Sequence, residues 1–416
     1  MENFNFNYFK ESINYIFLHK YLKFWLLGVI FDSLSHQLVR IFIGGMIYLQ
    51  TQSLFLTIIA YSLWPVIDIL FKLKFWNLLN KIGINKGYYF SIPAIIGYYV
   101  LAYNLPNDNL YWVLMIGVFF GFYVLTYYSS DTRISARIIP NELRGRFGFV
   151  VNTLITFISI IGPVIATSLI YYDLSFYALI FSGLFFSLGM FFYNRIDLKL
   201  LNLEDQKKVE LKQVIEFYKK VPRKHTLKIL GDSIRDEFLS SIYPVLLFII
   251  LGSSFELVGA FTFVMFIIIL LIDYHLSLFI DKSSNKKNLQ IQASAVYSTS
   301  FIGLLTAKTI FHFGIFAFIN RISDKISNGI FDSSLSNWLN SQEDINIAGI
   351  YKNYVYNVGQ IFTYLFFIIC FMISTSEINI YFYMILLILI SLILLQINSP
   401  CFDKSHKIKY KHHNTH

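Results

Sequence analysis

The sequence predicts an all-α integral membrane protein of twelve transmembrane helices arranged as two six-helix bundles. Three observations predict it. Of the 416 residues, 56% are hydrophobic and only 14% are charged, whereas a soluble domain carries about 25% charged residues, so the chain lacks the polar surface that water requires. The apolar residues come in long blocks almost free of charge, among them 111–128, 148–171, 238–251, 257–272 and 378–395. The block FTFVMFIIILLI (261–272) shows none of the alternation a membrane β-barrel needs. Finally, a span plus a short connection takes about 35 residues, and the length then holds roughly 12 of them.

Taken in order, the spans fall at 22–48, 53–72, 88–105, 110–128, 147–170, 174–194, 233–251, 256–279, 289–306, 308–327, 350–374 and 377–397. The ninth and tenth, IQASAVYSTSFIGLLTAKTIFHFGIFAFI, are polar for a lipid-facing stretch, which suits helices lining the interior of a bundle. Direction follows from the lysines and arginines. One set of connections carries Lys72, Lys74, Lys81, Lys86, Arg133, Arg137, Arg144, Arg146, Lys282, Lys286, Lys287, Arg321 and Lys325, while the alternate set carries only Lys308. Both termini are therefore expected on the cytoplasmic side of the plasma membrane. The net charge of +9 is explained by these loops and does not call for nucleic acid.

One long hydrophilic stretch, 196–228, separates the halves, giving a bundle at 1–195, a cytoplasmic linker, a second bundle at 229–400 and a tail at 401–416. Within the linker, LEDQKKVELKQVIEFYKK (203–220) has helical periodicity and is expected to lie flat on the inner membrane surface. The start of the chain has no cleavable signal pattern, and Cys370 and Cys401 form neither a disulfide framework nor a metal site.

Ionisable residues inside a membrane are costly and hence candidates for function. Span one holds Asp32, His36 and Arg40, four residues apart and on one helical face. The stripe reads equally well as a substrate- or proton-handling line and as a structural network that fixes helix one. A third reading places it near an interface. Asp68, after Pro65 in span two, reads as a latch residue near the cytoplasmic end. Arg235, Asp236 and Glu237 read as an interfacial cluster opening span seven, and Asp324 and Asp332 as gating or packing groups. Tyr127 and Tyr128 suit either a substrate or the bilayer interface.

Two cytoplasmic turns repeat at an offset of 201 residues: WNLLNKIGINK (76–86) and SLFIDKSSNKK (277–287). These resemble the loop signature of the major facilitator superfamily, Gly-x-x-x-Asp-Arg/Lys-x-Gly-Arg/Lys-Arg/Lys. Trp76 stands at the glycine position and Asn80 replaces the aspartate, while Lys81 and Gly83 match. In the second copy Asp281 and Lys282 match. The stretch 138–170 resembles the same family's Pro-x-Glu-x-Arg-Gly-Arg loop through Pro140, Glu142, Arg144, Gly145 and Arg146, and its helix-five pair through Gly162 and Pro163.

The resemblance implies a secondary active transporter that moves a small solute by alternating access, with protons as a further partner and lipid as its surroundings. It implies gating roles for Asn80, Lys81, Gly83, Glu142, Arg144, Arg146, Asp281 and Lys282, which Asp68 joins through its place near the cytoplasmic end. No phosphate loop, nucleophile elbow or zinc helix is present in the sequence, so neither enzymatic activity nor a cofactor or metal is expected. The chain is expected to be a monomer. A transporter-like receptor or scaffold is the alternative.

Overall fold

The computed structural model describes residues 14, 16–106, 109–138, 144–172, 174–197, 208–252, 254–282, 285–307, 310–342, 344–373, 386–391 and 393–394. The first six spans emerge as six helices: α1 (Lys20–Thr51), α2 (Leu54–Ile82), α3 (Lys86–Tyr103), α4 (Leu110–Ile138), α5 (Arg144–Tyr171) and α6 (Ser175–Asn194). Their ends follow local chemistry. Gln52 closes α1 in the left-handed region, φ 49°, its N–H bonded to Tyr48 O, and the Ser53 hydroxyl then accepts the Leu56 N–H to open α2. This makes a turn of two residues. At the other end of α2, Gly83 has φ 106° and donates its N–H to Leu79 O, a backbone state that side chains rarely adopt.

Beyond the sixth span come α7 (Leu211–Lys220), α8 (Arg223–Glu237), a π-helical turn Phe238–Ile242, α9 (Tyr243–Ile250), α10 (Phe255–Lys282), α11 (Lys286–Thr306), α12 (Ile310–Asn340) and α13 (Ile345–Ile373). The seventh expected span is thus a broken helix that starts ten residues earlier than the apolar run, and the tenth runs on to Asn340. The twelfth falls mainly outside the described residues, of which 386–391 are helical.

Among the described residues, six helices are long and apolar enough to cross a membrane, and α9 with the first part of α10, bent by 116°, raises the number to seven. The chain is an all-α, multi-spanning membrane protein. Helix α3 is short, and α11 and α12 carry the polar residues noted above, so length and hydropathy alone do not mark them as spans.

The described residues form two compact units, one drawn from Met1–Lys208 with Tyr243–Leu270 and the other from Val209–Ile242 with Leu271–His416. In the first, α1 packs along α6 and α5, α4 lies along α2 and α3, and α9 rests on α1. Its core is dense in aromatic residues, including Tyr88, Phe186 and Tyr193, all fully or almost fully buried. In the second, α11 pairs with α12, and α13 carries α8 and α7. Helix α7 is amphipathic. It buries Val214 and Phe217, with the Phe217 ring 5.3 Å from Tyr351, and leaves Leu211, Ile215 and Tyr218 exposed.

Candidate functional site

The α1 stripe meets a second stripe on α4. Asp32 is buried, and its Oδ2 accepts a hydrogen bond from the Tyr127 hydroxyl at 2.7 Å. One turn along α1, His36 Nε2 lies 2.8 Å from the Tyr123 hydroxyl and 3.4 Å from Asp32 Oδ1. Tyr123 and Tyr127 are themselves one turn apart on α4. The pairs Asp32–Tyr127 and His36–Tyr123 therefore form a two-rung ladder, and their order runs oppositely along the two helices, as for helices that cross in opposite directions. Among the described residues, Asp32 Oδ1 has no hydrogen-bond donor.

The surroundings hold the ladder in place. Tyr88 of α3 stacks on Tyr193 of α6 at 4.6 Å and meets Tyr127 edge-on at 5.8 Å. Phe186 of α6 lies edge-on to both Tyr123 and His36. The Ser182 hydroxyl donates to Ser35 O at 2.9 Å and lies 3.1 Å from the Tyr99 hydroxyl, tying α6 to α1 and α3. Asp131, one turn beyond Tyr127 on α4, interacts electrostatically with Asp32 and Tyr88. A carboxylate and an imidazole within reach of one another, each on a phenol, form an arrangement able to hold a proton and pass it along one short line.

The third member of the stripe, Arg40, lies one turn further along α1, and its side chain is outside the described residues. The helix-five pair lies against α1. A Cβ on Gly162 would stand 2.5 Å from the Cβ of Gln37, the residue after His36, so only glycine permits this approach of α5. Pro163 follows inside α5.

The residues expected to gate divide into several groups. Asp68 is buried and takes the ammonium of Lys72, also buried, at 3.1 Å. Asn80 accepts from Arg133 Nη1 of α4 at 2.7 Å, while Nη2 donates to Trp76 O at 2.9 Å. The Arg133 guanidinium lies 3.6 Å from the centre of the Trp76 ring. This loop is thus tied to α4 through a neutral amide as acceptor. Lys81 is exposed, and Gly83 provides the turn. Glu142 lies outside the described residues, as do the side chains of Arg144, Arg146, Asp281 and Lys282.

The second unit has a polar cluster of its own at the end of α8. Arg235 binds Asp232 and donates to Ser327 Oγ at 3.2 Å, and Glu237 accepts from Tyr364 of α13 and from Ser241 in the π-helical turn. Arg235 and Glu237, read from the sequence as interfacial, are 3% and 1% exposed, whereas Asp236 is exposed and takes the Tyr356 hydroxyl. Asp324 accepts from Asn328 at 3.0 Å.

No family model matches this chain, and no curated protein does. Solved structures do. The human organic anion transporter MFSD10 (TETRAN) superposes with a TM-score of 0.62 at 13% identity, covering 91% of this chain and 99% of that one. The D-xylose-proton symporter gives 0.62 at 13%, covering 92% and 98%. A POT family transporter in complex with a thioalcohol-conjugated peptide gives 0.60 at 14%, covering 90% and 95%.

The fold is of the major facilitator type.

Within this major facilitator-type fold, the two residues at which the first loop departs from the family pattern are explained by one partner. Arg133 rests on the Trp76 ring and bonds the Asn80 amide, so the tryptophan in place of glycine and the asparagine in place of aspartate both serve it. Reading the sequence missed Tyr123, Asp131 and the role of Arg133. The signal for the first two was present, because Tyr123, Tyr127 and Asp131 repeat every fourth residue and mark one face of α4.

Proposed function

We propose that this chain is a secondary active transporter that carries a small solute across the plasma membrane by alternating access. Two observations support the reading. The likeness to transporters of the major facilitator type extends over about nine-tenths of the chain. The Asp32–Tyr127 and His36–Tyr123 ladder supplies a buried proton-carrying group of the kind a coupled carrier needs. On this reading twelve spans form two six-helix bundles, at 1–195 and 229–400, joined by the 196–228 linker and followed by a 401–416 tail, with both termini cytoplasmic and the protein acting as a monomer.

Asp32 takes up the proton and His36 relays it. Neutralising Asp32 leaves the Tyr127 hydroxyl bonded to a carboxylic acid, so the charge on the α1 stripe changes without loss of the rung. Arg40 continues the line and holds an anionic group. Asn80, Lys81 and Gly83, with Asp68, Glu142, Arg144, Arg146, Asp281 and Lys282, form the cytoplasmic gate, and Gly162–Pro163 sets the α1–α5 contact.

The test is flux in proteoliposomes for a panel of organic anions, nucleosides, sugars and peptides, with and without an imposed pH gradient. Accumulation of one class only under the gradient supports coupling. Gradient-independent equilibration removes it, and absence of flux for every class removes the transporter reading.

A further inference from the structure

On the outer surface of the first unit, α2, α3 and α4 leave a groove of about 500 Å³. Its walls are Phe71, Phe75 and Leu78 of α2, Phe90 of α3, and Phe119 and Phe122 of α4. The rings brace one another in pairs, Phe71 with Phe122 at 6.1 Å and Phe75 with Phe90 at 6.0 Å. Pro93 of α3 and Thr126 of α4 also line it. The Thr126 hydroxyl donates to Phe122 O at 2.7 Å within its own helix, so it presents no free donor to a polar ligand. The lining is thus apolar with one exception, Lys74.

Lys74 is exposed and makes no ion pair among the described residues. Helix geometry gives its depth. From Leu54 at the start of α2 to Lys74 is about 30 Å at 1.5 Å per residue, the thickness of the hydrocarbon layer. With the α1–α2 turn at one headgroup layer, Lys74 falls at the other. Phe119 lies about 14 Å along α4 from Leu110, near the bilayer midplane. Counted the same way, the groove runs from Phe119 near mid-membrane to Leu78, about 6 Å past Lys74, so the cation lies within its headgroup part.

We propose that this groove is a lipid site that retains one acyl chain of an anionic phospholipid, with the headgroup phosphate held by Lys74. The aromatic walls supply apolar contact, and the lysine supplies preference for negative over zwitterionic lipid. The site is independent of the Asp32 ladder and of any transport reading.

The experiment is native mass spectrometry of the full chain released from nanodiscs of equal phosphatidylethanolamine and phosphatidylglycerol. The wild type should retain one phosphatidylglycerol with about fivefold preference, the effect of one lysine near an anionic headgroup. Lys74→Gln should abolish the preference. Leu78→Trp, at a half-exposed position where folding is not at stake, should displace the retained lipid by filling the groove. Equal retention of the two lipids by the wild type would overturn the proposal. So would a preference that survives K74Q, retention unchanged in L78W, or a second copy of the chain in place of lipid.

Discussion

Replacing Gly162 with alanine tests how closely α5 and α1 approach beside the Asp32 stripe. The new Cβ would lie 2.5 Å from Gln37 Cβ and 3.2 Å from Gln37 backbone carbon. Carbon atoms rest at about 3.5–4.0 Å, so the helices must separate by about 1 Å, and overpacking of this kind costs about 1–3 kcal/mol. Part of that is offset, because alanine is the better helix former by about 0.5–1 kcal/mol. Gly314 of α12 is the control, since nothing lies within 4 Å of a Cβ placed there, and G314A should match or slightly exceed the wild type. Thermal unfolding of the purified variants in one detergent and at one scan rate is the assay. At about 1 °C per kcal/mol for a chain of 416 residues, G162A should melt about 1–3 °C below G314A. Equal melting temperatures would mean that α5 does not contact α1 at Gln37, and the placement of the Asp32 stripe against its neighbours would fall with it.

The remaining predictions are more local. Tyr127→Phe removes the hydroxyl that donates to Asp32 and should cost about 1.5–3 kcal/mol if the carboxyl is charged. Tyr123→Phe breaks a bond to imidazole and should cost about 0.5–1.5 kcal/mol; the same melting assay checks both, and a larger loss in Y123F would reverse the assignment of the charged rung. Phe217→Ala empties the contact with Tyr351 and Trp338 and should cost about 3–5 kcal/mol locally. Limited trypsin digestion should then cut faster at Lys219 and Lys220, whereas unchanged cleavage would show that α7 is held by other means.

Much of the architecture was legible because lipid imposes one rule on the backbone. Charge-free runs of about 20 residues must be helices, and the first six appear at the places the runs occupy. The rule weakens where a helix is shielded by its neighbours. Helices α11 and α12 tolerate Gln290, Ser294, Asn320 and Asp324 because these side chains are buried. The seventh span began earlier than its apolar run because Asp232, Arg235 and Glu237 bind partners inside the second unit, which lets a polar segment continue a helix.

The site was legible along one helix and not across two. Asp32 and His36 announce themselves by spacing. Their partners Tyr123 and Tyr127 belong to α4, and the register between α1 and α4 is set by packing, which a single chain read in order does not contain. The same limit hid the link between Trp76, Asn80 and Arg133, whose contact spans 53 residues and more.

Asp32 as the coupling group is tested most directly by gradient-driven accumulation in proteoliposomes of the wild type and of Asp32→Asn, side by side with the same solute panel. The account predicts that the wild type concentrates a solute when a proton gradient is imposed, and that D32N lets the same solute equilibrate without concentrating it. Concentration by D32N to the level of the wild type would contradict it.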